Sequence, residues 1–244
     1  MRIEDLDQLE MIHGTFTLIF IIISLLVGIR ILLKYFTFKK KEMLTVGLSW
    51  IFMCSPWWGS GFSFLSILLI QQTLTPFMYL LLGNAFVPIA ILCWIYSFTS
   101  LAYPHLKKKL LILFLIIYTP YEIYVIYYLF VNPSNIAEIV GTFYAQPKLI
   151  IMIYQVLAVL VAFITGVMFS RKSMKSDDAK IALKGKILLL AFIAFTIGAF
   201  MDAVFPLTPF TLIIVRLILI SSAIFYLFGF LLPDKIAELL LKES

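Results

Sequence analysis

Apolar runs of about 20 residues recur along this chain, and that repetition constrains its fold more than any motif does. A helix rises about 1.5 Å per residue, so a run of this length covers a hydrocarbon core about 30 Å thick. Seven such runs lie near residues 14 to 36, 43 to 60, 74 to 102, 109 to 131, 148 to 170, 184 to 206 and 210 to 232. With a mean hydropathy of +1.07 and only 13% charged residues in 244, the chain has too little polar surface for a water-soluble domain. The expected fold is an all-α membrane protein. A single seven-transmembrane-helix domain is expected over residues 1–244, ending in a short amphipathic cytoplasmic tail at 234–244.

The connections are short. The longest are VNPSNIAEIVGTFYAQPK after span four and RKSMKSDDAKIALKGK between spans five and six, and neither is long enough to form a domain. The leader MRIEDLDQLEM has no small-residue cleavage site, so span one reads as a retained helix rather than a signal peptide. No internal repeat is visible, which disfavours transporter folds built from duplicated halves.

Basic clusters set the expected orientation, because cytoplasmic loops carry the excess of Lys and Arg. Lys39 to Lys41 follow span one, Lys107 to Lys109 follow span three, and the Arg171 to Lys186 group follows span five. The opposite side receives Glu4, Asp5, Asp7, Glu10, the uncharged QQTLTP and Glu138. This places the N-terminus outside and the C-terminus in the cytoplasm of a plasma-membrane, multi-pass protein. The net charge of +6 is thus a topology signal, and nucleic acid is not an expected partner. Membrane lipids are.

Cys54 and Cys93 both fall inside spans and read as packing residues, while His13 lies at the outer edge of span one and His105 in a cytoplasmic turn. No metal site, cofactor or catalytic nucleophile with a base emerges from these residues. No enzyme is expected.

Span two is too long to be straight. From Met43 to Gln72 a continuous helix would measure about 45 Å. Pro56, with Gly59, Ser60 and Gly61, puts a break between Ser55 and Gly61. Trp57 and Trp58 would then sit in an interfacial aromatic belt or form a pocket lid. Residues 62–72 read as a tilted continuation, an interfacial helix or a re-entrant piece.

Glu122, Gln155, Asp202 and Arg216 share a level about 20 to 24 Å above the cytoplasmic boundary, with Asn84 nearer the middle. Arg30 and Lys34, close to the inner end of span one, snorkel. Small residues recur at helical spacing as Gln155, Ala158, Ala162, Gly166 and as Ala191, Ala194, Gly198, Asp202, which turns Gln155 and Asp202 toward neighbouring helices. Span four adds Tyr118, Tyr121, Tyr124 and Tyr128 around Pro120. A polar, aromatic-walled ligand cavity in the outer half is the expected site, lined by Glu122, Asp202, Arg216, Gln155, Asn84, Tyr118 and Tyr121. Asp202 and Arg216, on consecutive antiparallel helices, are expected to form a structural ion pair. If Glu122 joins them, one negative charge remains to be protonated, solvated or used on a cation.

The pattern G-x-x-x-D from Gly198 to Asp202, then PLTP, Arg216 and GFLLP at Gly229 to Pro233, resembles uncharacterised seven-helix archaeal membrane proteins. More loosely, it is similar to the seven-transmembrane sensor region of microbial histidine kinases. The resemblance implies a sensor- or receptor-like module. Here the sequence given ends at Ser244, eleven residues after Pro233, so signalling would pass to a separate partner. Retinal proteins need a lysine in the last span, and residues 210–232 have none. TSLAYPH stands where animal-type G-protein-coupled receptors carry an acidic-arginine-aromatic motif, and span seven lacks N-P-x-x-Y. Progestin and adiponectin receptor-like hydrolases need several intramembrane histidines, which are missing.

Two functional classes therefore stand. One is a receptor or sensor for a small or lipidic ligand, with a cytoplasmic signalling partner at the Arg171–Lys186 loop or on the tail face of Ile236, Leu239 and Leu240. The other is a transporter or channel using Glu122 and Asp202 as proton or cation sites.

Overall fold

The computed structural model describes residues 2–204 and 208–242. Seven helical segments in it are long and apolar enough to cross a membrane. Five are single helices: α1 (Gln8–Phe38), α6 (Lys107–Val131), α7 (Leu149–Met174), α8 (Ala179–Val204) and α9 (Pro209–Leu231). Two are broken. Span two is α2 (Lys41–Met53) and α3 (Trp58–Ile70) joined by a 3-10 turn at Ser55–Trp57; span three is α4 (Pro76–Asn84) and α5 (Val87–Ala102). A short helix, α10 (Asp234–Lys242), follows the last span. Residues 205–207, which include the expected end of span six and half of PLTP, lie outside the described residues, as do residues 243–244 of the tail.

Local chemistry accounts for the helix ends. Asp7 accepts from the Glu10 amide at 2.7 Å while Glu10 accepts from the Asp7 amide at 3.2 Å, a reciprocal cap on α1. Asp178 caps α8 through the amides of Lys180 and Ile181, and Thr75 with Pro76 opens α4.

The two breaks have one cause. Proline lacks the amide that would bond the carbonyl four residues earlier. Below Pro56 that carbonyl belongs to Phe52, and it accepts from Cys54 instead. Below Pro88 it belongs to Asn84, and it takes the Tyr121 hydroxyl at 3.1 Å. The break near Pro56 matches the sequence; the one at Ala85–Phe86 goes beyond it, although Pro88 signalled it. Residues 62–70 simply continue as α3.

Helix packing closes a ring. Helix α1 lies against α2, α3 and α9; α5 lies against α2 and α7; α8 lies against α7 and α9. Helix α6 sits outside this ring, on α4 and α5. Close approaches are cut by glycine: a Cβ on Gly47 would meet the Leu32 amide nitrogen at 2.7 Å, and one on Gly198 would meet Leu219 of α9 at 2.7 Å. The stripes of small residues on α7 and α8 thus face helices, Gly166 against Phe192 of α8 and Gly198 against α9.

One end of the bundle gathers Lys39 to Lys41, Lys107 to Lys109 and the Arg171–Lys186 connection, together with α10. The other end carries a β-hairpin where the sequence shows only a connection. Its strands, β1 (Ala137–Val140) and β2 (Tyr144–Pro147), pair antiparallel with Ala137 opposite Pro147 and Val140 opposite Tyr144. Gly141, at φ +71, supplies the left-handed residue its turn requires.

Candidate functional site

The hairpin end holds a buried polar network built on Arg216. Its guanidinium is 1% exposed and donates from Nη1 to Asp202 Oδ1 at 2.8 Å and from Nε to Thr17 Oγ1 at 2.9 Å. The other Asp202 oxygen accepts from Trp57 Nε1 at 2.7 Å. Four spans meet here: α1 gives Thr17, the turn in span two gives Trp57, α8 gives Asp202 and α9 gives Arg216. An apolar interior strengthens such charge-assisted bonds, and every contact named is in hydrogen-bonding range. Asp202 is the accessible member, its side chain 21% exposed.

Of the interfacial belt and the pocket lid that the sequence left open for the two tryptophans, the belt does not form. Both tryptophans are buried, because the turn at Ser55–Trp57 swings them inward. Trp57 packs edge-on to Phe20 and Phe195 as it reaches Asp202, and Trp58 lies among Phe52, Phe62 and Phe86.

The hairpin tip docks beside this network. Phe143 is buried and its carbonyl accepts two hydroxyls, Ser60 at 2.6 Å and Tyr79 at 2.9 Å. Its ring meets Phe64 and His13 edge-on. His13 lies one turn of α1 before Thr17, so the tip sits a single turn from the arginine. Thr142, beside it, donates to Glu10 Oε1.

Apart from Glu122, the remaining site residues of the sequence form a second group on the flank of the ring. Gln155 Nε2 donates to Asn84 Oδ1 at 3.1 Å, and Asn84 Nδ2 to the Leu80 carbonyl at 2.8 Å. Tyr118, Tyr121 and Tyr154 pack ring against ring, with Tyr121 and Tyr154 centroids 4.9 Å apart. Glu122 follows Tyr121 in sequence on α6. It rides outside the ring with that helix, and its Oε2 is buried without a hydrogen-bonding partner. Arg216 and Asp202 therefore come together, while Asn84, Gln155, Tyr118 and Tyr121 gather separately. Height along a helix is readable from sequence, but the direction in which α6 packs is not.

Thr17 and Phe143 are absent from the sequence-derived site, where Trp57 stands only as a belt or lid residue. A buried arginine needs more acceptors than one carboxylate supplies, which is the one signal pointing to a hydroxyl such as Thr17. Two grooves lie away from the network. One of about 390 Å³ is lined by Thr45, Leu92, Cys93, Tyr96, Leu111 and Leu115; another of about 460 Å³ is lined by Arg2, Glu4, Ile67 and Gln71. Among the described residues, no group of three or more His, Cys, Asp or Glu is placed to hold a metal.

Fold and network together define a multi-pass integral membrane protein of seven helical spans, with an ion pair built into one end of the bundle. No protein family, curated protein or solved structure matches the chain.

Proposed function

We propose that the protein is a receptor- or sensor-like membrane protein that takes a small or lipidic ligand at the hairpin end. In this reading the hairpin end faces outward and the basic end faces the cytoplasm, where the Arg171–Lys186 loop meets a separate signalling partner. One observation carries it: Asp202, the most accessible member of the network, holds both Arg216 of α9 and Trp57 in the turn of span two. A ligand that displaces the hairpin tip and competes for Asp202 releases the turn and α9 together. Packed helices have discrete arrangements, so such a release reaches the opposite end as a helix shift.

Glu122 supports a second reading, transport of protons or cations, because its buried carboxylate oxygen has no partner. Its separation from Asp202 argues against a single path using both carboxylates. Proteoliposomes carrying a potassium gradient, valinomycin and a trapped pH dye separate the two. The sensor reading expects no proton flux above that of empty vesicles. Flux that Glu122→Gln abolishes establishes transport instead.

A further inference from the structure

Helix α10 begins where span seven ends. Leu231 closes α9, Leu232 is buried, and Pro233 interrupts the helix before the Ala237 amide restarts it on the Pro233 carbonyl at 3.0 Å. The new helix is tied to α8. Asp234 accepts from Lys180 Nζ, Lys184 Nζ donates to the Phe230 carbonyl at 3.3 Å beside the junction, and Ala237 is buried. These ties hold α10 at the depth where span seven leaves the hydrocarbon.

At about 100° per residue, Asp234, Lys235 and Glu238 fall on one arc of α10 and Ile236, Ala237 and Leu240 on the other, with Leu239 and Leu241 at its two margins. Ala237 of the apolar arc is buried. Leu239 is 59% exposed, and Ile236, Leu240 and Leu241 are exposed with it. Ile181 of α8, the helix that α10 packs against, is exposed as well. The charges of Asp234, Lys235 and Glu238 leave this helix without a basic face of its own; the attraction to acidic headgroups comes from Lys39 to Lys41, Lys107 to Lys109, Arg171, Lys172 and Lys175 at the same end.

We propose that α10 is an interfacial helix that lies in the membrane plane at the basic end, its Ile236–Leu240 arc seated at the headgroup–acyl boundary of an anionic leaflet. The occupant of that face is lipid. A soluble partner would require the arc to face water, whereas the junction and the Lys180–Asp234 tie hold it level with the bilayer surface.

The test uses the full chain with Cys54→Ala and Cys93→Ala, labelled with the environment-sensitive dye NBD at Leu239→Cys, at Leu240→Cys or at Lys235→Cys. Each protein is placed in nanodiscs containing phosphatidylglycerol. Labels at Leu239 and Leu240 should brighten several-fold relative to the Lys235 label. Shallow nitroxide lipids should quench them, and aqueous iodide should not. The Lys235 label should respond the other way. If labels at both Leu239 and Leu240 are quenched by iodide as strongly as the one at Lys235, and nitroxide lipid leaves them bright, the face is not on the membrane. A soluble protein partner is then its occupant.

Discussion

Arg216 and Asp202 meet at 2.8 Å across neighbouring antiparallel helices, and the same carboxylate holds Trp57 at 2.7 Å. Removing one member strands the other in the interior. Such a loss costs about 3 to 5 kcal/mol in soluble proteins, and less where water reaches the charge. Arg216→Leu should therefore lower the melting temperature in detergent, and Asp202→Asn added to it should restore part of the loss. Full additivity of the two changes in a double-mutant cycle contradicts the pairing.

Helices α1 and α2 touch where Gly28 faces Gly47. A Cβ on Gly47 would stand 2.5 Å from the Gly28 carbonyl oxygen and 2.7 Å from the Leu32 amide nitrogen, whereas one on Gly83 would meet nothing nearer than the Pro56 carbonyl at 3.7 Å. Gly47→Ala should destabilise by about 1 to 3 kcal/mol, the range for overpacking. Gly83→Ala should be tolerated or slightly stabilising, since alanine favours a helix over glycine. Thermal unfolding of the two variants side by side measures the contrast.

Ser60 and Tyr79 hold the hairpin tip through one carbonyl. Each neutral hydrogen bond contributes about 0.5 to 1.5 kcal/mol, and an unpaired buried carbonyl adds a penalty. Ser60→Ala with Tyr79→Phe should loosen the tip. Limited proteolysis should then cut within residues 136–147 at protease levels that leave the parent intact, while the spans resist.

How much of this is legible in the sequence depends on whether a local rule or a distant partner decides. Span count follows from run length, and the broken span two follows from Pro56 in a run too long to be straight. The heights of Asp202 and Arg216 follow from counting along two consecutive helices. Glu122 stands at a similar height, but the side on which α6 packs comes from contacts with α4 and α5 that no spacing encodes. Trp57 resembles an interface anchor until the turn that buries it is known. The hairpin has strands of four residues without clean apolar alternation, and its tip is fixed by Ser60 and Tyr79, more than sixty residues earlier in the chain.

Acid should release the Lys180–Asp234 tie of α10. The hydrogen bond and charge of Lys180 hold the Asp234 carboxyl below the usual carboxylate range. A lowered folded-state value means that the attachment is complete above the ordinary pKa of about 3.9 and is lost as pH falls through the lowered one. An NBD label at Lys235→Cys should report a transition below about pH 4. Lys180→Met removes the cause and should weaken the attachment at neutral pH while abolishing the transition.

Sidedness tests the arrangement as a whole, because seven crossings put the hairpin with the N-terminal leader on one face and the basic connections on the other. In the Cys54→Ala, Cys93→Ala background, single cysteines replace Glu4, Ile139 and Asp177, and intact cells are treated with a membrane-impermeant maleimide. Glu4→Cys and Ile139→Cys should label from outside, and Asp177→Cys only after permeabilisation. Labelling of all three in intact cells contradicts the seven-span topology. Labelling of Asp177→Cys alone inverts the protein and removes the outward-facing ligand site.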